Sequence, residues 1–132
     1  MTQDQDQFSG EGRQNLKVIL LVEDDRDIGE VLVEAITHES PYQAMLATDG
    51  FEALHMVQSI KPGLFILDYQ LPGMNGVELY DKLHAIKALA DVPALMMSAR
   101  LPRQELEKRK IVGMNKPVDL DEFLQTLDQL LA

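Results

Sequence analysis

The chain contains the run Leu64-Phe65-Ile66-Leu67-Asp68, four consecutive apolar residues closed by an acid. A continuous apolar run, as opposed to an alternating one, is typical of a strand covered on both faces of a parallel sheet. Leu64–Leu67 therefore predicts a central strand. Asp68 ends it at the carboxyl edge, where open α/β sheets bind their ligands.

Four similar runs lie on either side of this strand, separated by segments of helical period. The other predicted strands are Lys17–Val22, Tyr42–Thr48, Ala94–Met97 and the short Ile111–Met114. Strands that alternate with helices at this spacing predict repeated βαβ units. The expected fold is therefore α/β, with a doubly wound parallel sheet and helices on both faces.

Apolar stripes mark the predicted helices. They comprise Ile28, Val31, Leu32, Ala35 and Ile36; Ala53, Leu54 and Val57; Gly76, Leu79, Tyr80, Leu83, Ile86 and Ala90; and Phe123, Leu127, Leu130 and Leu131. A capping-box-like pair, Asp119 and Glu122, predicts the start of the last helix. The segment Arg103–Lys110 is charged nearly throughout and predicts at most a short, poorly buried helix.

Composition and length favour one globular domain. The 132 residues are 45% hydrophobic and 26% charged, and they include no cysteine, which excludes disulfides and thiol chemistry. We expect residues 1–15 to be a disordered lead-in and residues 16–132 to form the domain. The net charge of −10 argues against direct nucleic acid binding. No run is long enough to span a membrane and no secretory signal is visible, so we expect a cytoplasmic protein.

Acids also follow the first predicted strand, as Glu23-Asp24-Asp25. If strands one and three are neighbours, Glu23, Asp24 and Asp68 converge, and protonation or a cation must relieve their repulsion. Mg²⁺ suits such oxygen ligands and keeps waters that a phosphate can replace. Helix capping is the alternative explanation for the acids after the first strand, and a solvated loop start is the alternative for Asp68.

A hydroxyl and an ammonium follow two further strands at the same edge. Ser98 closes the fourth strand, and Lys116 follows the fifth, directly before Pro117. Phosphoryl transfer depends on neutralising the phosphoryl oxygens, which a cation, an ammonium and a hydroxyl can do. A carboxylate such as Asp68 can be the nucleophile. Taken alone, Ser98 and Lys116 are more often ordinary loop and surface residues.

Four stretches together resemble the receiver domain of two-component response regulators, the CheY-like fold. They are Lys17–Asp25, Leu67–Gly76, Met97–Arg100 and Asn115–Pro117, in the family's order. The resemblance covers residues 16 to 132. It implies a flavodoxin-like, five-stranded sheet of order 2-1-3-4-5, with a fourth helix that is shortened in this chain.

The resemblance implies a role for each residue at this edge. Asp68 matches the phosphoacceptor, which becomes an aspartyl phosphate. Glu23 and Asp24 match the family's acidic pair, with Asp24 the closer ligand of Mg²⁺. Together with Asp68, the backbone carbonyl of Gln70 completes the metal ligands. Mn²⁺ is a second candidate for the ion.

Two further residues have implied roles toward the phosphoryl group. Ser98 matches the hydroxyl residue that turns toward the acyl phosphate, and Lys116 matches the lysine that contacts its oxygens. Asp25 is a third acid outside the usual pair, and a helix start explains it. Two departures from the family's pattern affect the output mechanism, that is, how phosphorylation would alter a protein contact. The stretch from Ser98 to Lys116 is shorter than usual, and Gly113 stands where the family has an aromatic residue.

The expected function is that of a phosphoacceptor in two-component or phosphorelay signalling. A histidine kinase or histidine phosphotransfer protein would donate the phosphoryl group, and an unidentified downstream protein would respond. Self-phosphorylation and slow self-dephosphorylation are expected, but not turnover of a separate substrate. The alternative is a receiver-like module that binds partners without phosphorylation. A phosphohydrolase would need a second acid where Gln70 stands.

The 132 residues include no effector domain besides the predicted receiver domain. We therefore expect a stand-alone regulator, a phosphorelay shuttle, or a piece of a larger protein such as a hybrid kinase.

Overall fold

The computed structural model describes residues 17–132, so the predicted lead-in, residues 1–15, lies outside the described residues. The strands are β1 (Val18–Val22), β2 (Gln43–Ala47), β3 (Leu64–Asp68), β4 (Ala94–Ser98) and β5 (Val112–Asn115). The helices are α1 (Arg26–Glu39), α2 (Gly50–Met56), α3 (Gly76–His84), α4 (Arg103–Arg109) and α5 (Leu120–Leu131), with a 3₁₀ turn at Lys87–Leu89. Every predicted strand forms, within one residue at each end.

The five strands make one parallel sheet in the order β2-β1-β3-β4-β5, which confirms the predicted topology. The order reverses between β1 and β3, so the loops that follow these two strands lie side by side. In the register, Val22 is opposite Leu67, one residue before Asp68. This topology puts the acidic strand ends next to each other.

Two apolar clusters, one on each face of the sheet, form the core. Leu20, Phe65 and Leu67 point to one face, while Ile19 and Ile66 point to the other, and all five side chains are fully buried. Because β1 and β3 are covered on both sides, neither shows the alternation of a half-exposed strand. Among residues 17–132, no helix has the length and apolarity needed to cross a membrane.

Side-chain caps fix where the helices begin. Asp25 caps α1, because its carboxylate accepts hydrogen bonds from the backbone N–H groups of Asp27 and Ile28. Asn75 and Glu78 form a complete capping box at α3. At α5, the carboxylate of Asp119 accepts from the backbone N–H of Glu122 at 3.0 Å, which confirms the predicted start of that helix.

The stripe predicted for the third helix extends beyond the helix that forms. α3 ends at His84, and Ile86 has an extended backbone with φ −78° and ψ 120°. The 3₁₀ turn that follows buries Leu89 and leaves Ile86 exposed. Predicting Ile86 as part of a helical face was therefore wrong, because the chain turns to place Leu89 in the core.

α4 forms as the short helix that the charge pattern predicted. Leu106 is its one buried residue, and an ion pair with the neighbouring helix supplements that small apolar contact. Arg109 donates from Nε and Nη2 to the two carboxylate oxygens of Asp81 on α3, both at 2.8 Å. This bidentate salt bridge links α4 to α3.

The Arg109–Asp81 pair gives a small, pH-dependent stability that can be measured. The hydrogen bond from Arg109 lowers the pKa of Asp81, so the stabilisation is present above the unfolded-state pKa and is lost as the pH falls through the lowered one. Because Asp81 is half exposed, Asp81→Asn should cost less than about 1 kcal/mol at neutral pH.

Urea unfolding at neutral and acidic pH measures this contribution. The difference in unfolding free energy between wild type and Asp81→Asn should shrink as the pH falls, because protonation of Asp81 removes the same charge from the wild type. Glu107→Gln on α4 is the control, because Glu107 takes part in no ion pair within residues 17–132. A difference that grows in acid would contradict a lowered pKa for Asp81.

Candidate functional site

Four of the five strands place a chemically active side chain at the same edge of the sheet. Asp68 is the last residue of β3 and Ser98 the last residue of β4. Glu23 follows β1, and Lys116 follows β5, where its backbone N–H donates to the carbonyl of Ser98 at 3.0 Å. The convergence predicted from the strand ends is therefore present in the fold.

Burial separates these side chains from ordinary surface polar groups. Within residues 17–132, the buried polar or charged residues are Glu23, Asp68 and Ser98, which are 1%, 4% and 1% exposed. Burying two carboxylates is costly unless they are paired or neutralised. All three belong to this one site, so in the described part of the chain the fold withdraws polar side chains from water only at this edge.

Lys116 forms salt bridges with both buried acids. Its Nζ lies 2.7 Å from Oε1 of Glu23 and 3.2 Å from Oδ2 of Asp68. An ammonium group has three N–H donors, so two serve these carboxylates and one remains. The contact between Lys116 and Glu23 was missed at the sequence level, where Lys116 was assigned only to the phosphoryl oxygens.

The environment shifts the proton affinities of this pair. Burial raises the pKa of Glu23, and the hydrogen bond from Lys116 offsets only part of that rise. For Lys116, burial acts to lower the pKa, but the hydrogen bond to Glu23 and the charge of Asp68 outweigh it and raise the pKa overall. The lysine therefore stays charged beside the acids.

A divalent cation fits the acidic cluster. Carboxylate oxygens of Glu23, Asp24 and Asp68 all lie within 4.8 Å of one another. Oε1 of Glu23 is already bound to Lys116, and its Oε2 accepts from the backbone N–H of Asp25 at 3.1 Å. Asp24 is exposed, which leaves its carboxylate open to solvent. A set of carboxylates open on one side suits Mg²⁺, which binds one or two of them and retains waters.

The hydroxyl of Ser98 is turned away from the carboxylates. It donates to the carbonyl of Arg100 at 2.9 Å and accepts from the backbone N–H of Arg100 at 3.1 Å. The structure thus brings Glu23, Asp24 and Asp68 together with Lys116, while the hydroxyl of Ser98 lies at the same edge but faces the following loop. Gln70 lies two residues after Asp68 in the exposed loop.

Gly76 allows the backbone after Asp68 to approach the start of α3. A Cβ at this position would lie 2.6 Å from the carbonyl oxygen of Asp68 and 3.0 Å from the Cα of Tyr69. Backbone atoms cannot move aside as a side chain can. We expect Gly76→Ala to cost about 1–3 kcal/mol of folding free energy and to displace Asp68.

Gly63→Ala is the matched control in urea unfolding. A Cβ at Gly63 first meets Cδ of Lys17 at 3.3 Å, which belongs to a flexible side chain. That variant should be close to wild type. Equal unfolding free energies for the two variants would show that the close approach at Gly76 is not required.

An apolar groove of about 580 Å³ borders the site on the α1 side. Lys116 lines it together with apolar residues that include Ile28, Val31 and Leu120, which are 44%, 58% and 43% exposed. The helical period of α1 groups Ile28 and Val31 with the buried Leu32. The period therefore predicts the apolar face of α1 correctly. In the fold, however, other elements cover only the part of that face that begins at Leu32.

Comparison with known proteins agrees with this geometry. Residues 19–128 match the family model for the response regulator receiver domain. The uncharacterized transcriptional regulatory protein YrkP of Bacillus subtilis is 35% identical over 109 residues, 80% of this chain and 45% of YrkP. Sporulation initiation phosphotransferase F of the same species is 28% identical over 117 residues, 86% of this chain and 92% of that protein.

A solved structure shows the same similarity in three dimensions. The response regulator protein TrrA of Thermotoga maritima, determined in complex with Mg²⁺ and BeF, superposes with a TM-score of 0.78 at 30% identity. The superposition covers 88% of this chain and 100% of TrrA. Because the family model matches most of the length of this chain, the chain belongs to the response regulator receiver domain family.

Proposed function

We propose that Asp68 is the residue of this receiver domain that accepts the phosphoryl group. Receiver domains are phosphoacceptors of two-component signalling and interact with histidine kinases and phosphotransfer proteins. The observation that carries the assignment is the salt bridge between Asp68 and Lys116, next to the cluster of Glu23, Asp24 and Asp68. It joins a nucleophile, a fixed positive charge and a metal-binding cluster.

In the proposed reaction, a carboxylate oxygen of Asp68 attacks the phosphorus of a phosphohistidine. The new O–P bond forms as the P–N bond breaks, and the bonding electrons stay on the imidazole nitrogen. Lys116 has one N–H donor left after its two carboxylate contacts. That donor can bind a phosphoryl oxygen, while the hydroxyl of Ser98 can bind another after rotating from Arg100.

Glu23, Asp24 and Asp68, with the backbone carbonyl of Gln70, would hold the divalent ion. Mg²⁺ is the proposed ion and Mn²⁺ a second candidate, and either supplies charge neutralisation for the phosphoryl oxygens. Since both oxygens of Glu23 already accept hydrogen bonds, we assign the direct contact to Asp24. Glu23 would then act through a retained water.

The donor protein has to approach over the exposed edge of the sheet. The groove beside Lys116 offers the apolar side chains of Ile28, Val31 and Leu120 for that approach. We propose that a helix of the phosphohistidine partner packs there, because the groove is continuous with Lys116. The downstream partner is a second protein, and with a net charge of −10 direct contact with nucleic acid is not proposed.

Two proposals concern the chain as a whole. We infer that residues 16–132 form the receiver domain and act in the cytoplasm. The chain spans less than half the length of YrkP but most of phosphotransferase F. Receiver domains are not turnover enzymes, and self-phosphorylation from a small donor with slow self-dephosphorylation is proposed on the same basis, since Gln70 provides no second acid.

Intact-mass measurement after incubation with Mg²⁺ and acetyl phosphate tests the proposal. The expected result is the mass increase of one phosphoryl group, prevented by a metal chelator. The protein without donor, and the donor with chelator, are the controls. No adduct with acetyl phosphate or with a histidine kinase would support the module that works without phosphorylation. Steady release of phosphate from several phosphoesters would instead support a hydrolase.

A further inference from the structure

Positive charge is gathered at α4 in an otherwise acidic molecule. Residues 100–110 contain five Lys or Arg and two Glu, which is a net charge of +3. The other residues of the described range, 17–132, contain six Lys or Arg and seventeen Asp or Glu, which is a net charge of −11. Within that range, α4 and its flanking residues therefore form the surface that attracts an acidic partner.

A groove of about 330 Å³ lies beside this charge, between α4 and β5. Its uncharged lining consists of Leu101, Leu106, Ile111 and Gly113. Arg103 and Lys110 line it as well, together with one acid, Glu107. Both cations are exposed, and neither forms a salt bridge with any residue of the described part of the chain. The groove thus offers an apolar floor and two cations without an ionic partner there.

The larger groove on the α1 side has the opposite charge. Asp27 lines it, and Glu30 on α1 and Asp121 at the start of α5 are both exposed. Lys116 lines it too, but this lysine is already paired with two buried acids. An acidic segment is therefore repelled by the α1 groove and attracted by the α4 groove.

An acidic stretch with one aromatic residue precedes the described part of the chain. Residues 1–16 contain three acids and one arginine, so their side chains carry a net charge of −2. Asp4, Asp6 and Phe8 stand at every second position, separated by glutamines. This stretch combines negative charge with a single large apolar side chain, which matches the chemistry of the α4 groove.

The length of the chain allows Phe8 to reach that groove. Lys17 directly precedes β1 and Ile111 directly precedes β5, so both lie at the amino edge of the parallel sheet. In the order β2-β1-β3-β4-β5, three strand spacings separate them, about 14 Å. The chain from Phe8 to Lys17 spans up to about 30 Å when extended. The distance to the groove is therefore within reach.

We propose that residues 4–8 of this chain dock in the groove between α4 and β5. Phe8 occupies the apolar floor, and Asp4 and Asp6 face the two cations that line the groove. In an extended backbone these three side chains point the same way, because side chains alternate with a period of two. The docked segment closes the groove to other apolar segments, so a partner that binds there has to displace it. This inference does not depend on the phosphoacceptor function.

A spin label on the segment tests the docking in the full chain. The chain has no cysteine, so Ser9→Cys provides a single attachment site for a nitroxide, which broadens the NMR signals of nearby methyl groups. The methyl signals of Leu106 and Ile111 should lose most of their intensity relative to the reduced label. Those of Ile28 and Val31, beside the α1 groove, should keep theirs. No loss at Leu106 and Ile111, or an equal loss at all four residues, would overturn the proposal.

Two charge reversals test why the segment binds. Arg103 and Arg26 are each the exposed first residue of a helix, and neither belongs to a salt bridge among residues 17–132. Glutamate suits either helix start, so both variants should fold. Arg103→Glu should restore the signals of Leu106 and Ile111, as should high salt, whereas Arg26→Glu should leave them broadened. Broadening that persists in Arg103→Glu would contradict docking by charge.

The aromatic anchor and the site of docking are tested with the same label. Phe8→Ala should restore the broadened signals, and Gln7→Ala, its neighbour in the segment, should not. Spin-labelled protein mixed with methyl-labelled protein that lacks the cysteine should show no broadening, because the segment docks within its own chain. Broadening in the mixture would show that the segment binds a second copy, and this result would overturn the proposal.

Discussion

Asp68→Asn is expected to accept no phosphoryl group from acetyl phosphate, although the protein should remain folded. The amide keeps the shape of the carboxylate but is not a nucleophile toward phosphorus. Folding should survive because Lys116 keeps its 2.7 Å contact with Glu23, and the repulsion between the two acids is removed. Intact mass and thermal unfolding, measured on the same sample, report on the two properties.

Asp25→Asn is the matched control for this substitution. Asp25 is an acid in the same acidic segment, but its carboxylate caps α1, and asparagine caps helices equally well. The control should be phosphorylated as the wild type is. If Asp68→Asn forms the adduct at the wild-type rate, Asp68 is not the acceptor.

Lys116→Ala should slow phosphorylation by about 10²–10³-fold, the loss typical of removing one positioned donor from developing negative charge. The rate at which the adduct appears in intact-mass measurements gives this value. The substitution should also destabilise the fold by about 1–3 kcal/mol at neutral pH, because Glu23 is 1% exposed and would be left without its partner. Urea unfolding measures that second loss.

Lys61→Ala and Lys116→Arg are the control variants for this prediction. Lys61 is exposed in the loop before β3, at the opposite edge of the sheet. Lys61→Ala should therefore change neither the phosphorylation rate nor the free energy of unfolding. Lys116→Arg keeps the charge and should recover stability better than rate, because a planar guanidinium presents its donors in a different direction. A wild-type phosphorylation rate in Lys116→Ala would exclude Lys116 from the reaction.

The sequence predicts the inner strands of the sheet well because β1, β3 and β4 are buried on both faces. Continuous apolar runs such as Leu64–Leu67 occur where helices cover both sides, and an acid or hydroxyl then marks the carboxyl end of the strand. For this reason the sequence alone places Asp68 and Ser98 at one edge. The capping acids Asp25 and Asp119 are predictable for a similarly local reason.

Other features depend on contacts between distant parts of the chain. The period of α1 predicts which face is apolar, but it cannot show that Ile28 stays uncovered beside the site. The contact between Lys116 and Glu23 joins residues 93 positions apart. Likewise, the sequence shows Gly113 in place of an aromatic residue, yet only the fold shows Leu101 beside it.

Chemical identification of the phosphorylated residue would show directly whether Asp68 is the acceptor. Borohydride reduces an acyl phosphate to the alcohol, so a phosphorylated aspartate becomes homoserine and can be located by peptide mass mapping. After reaction with Mg²⁺ and acetyl phosphate, we expect homoserine at position 68, and none when the chelator is present. Homoserine at Asp24 or Asp25 instead, or an adduct that resists reduction, would contradict the assignment of Asp68.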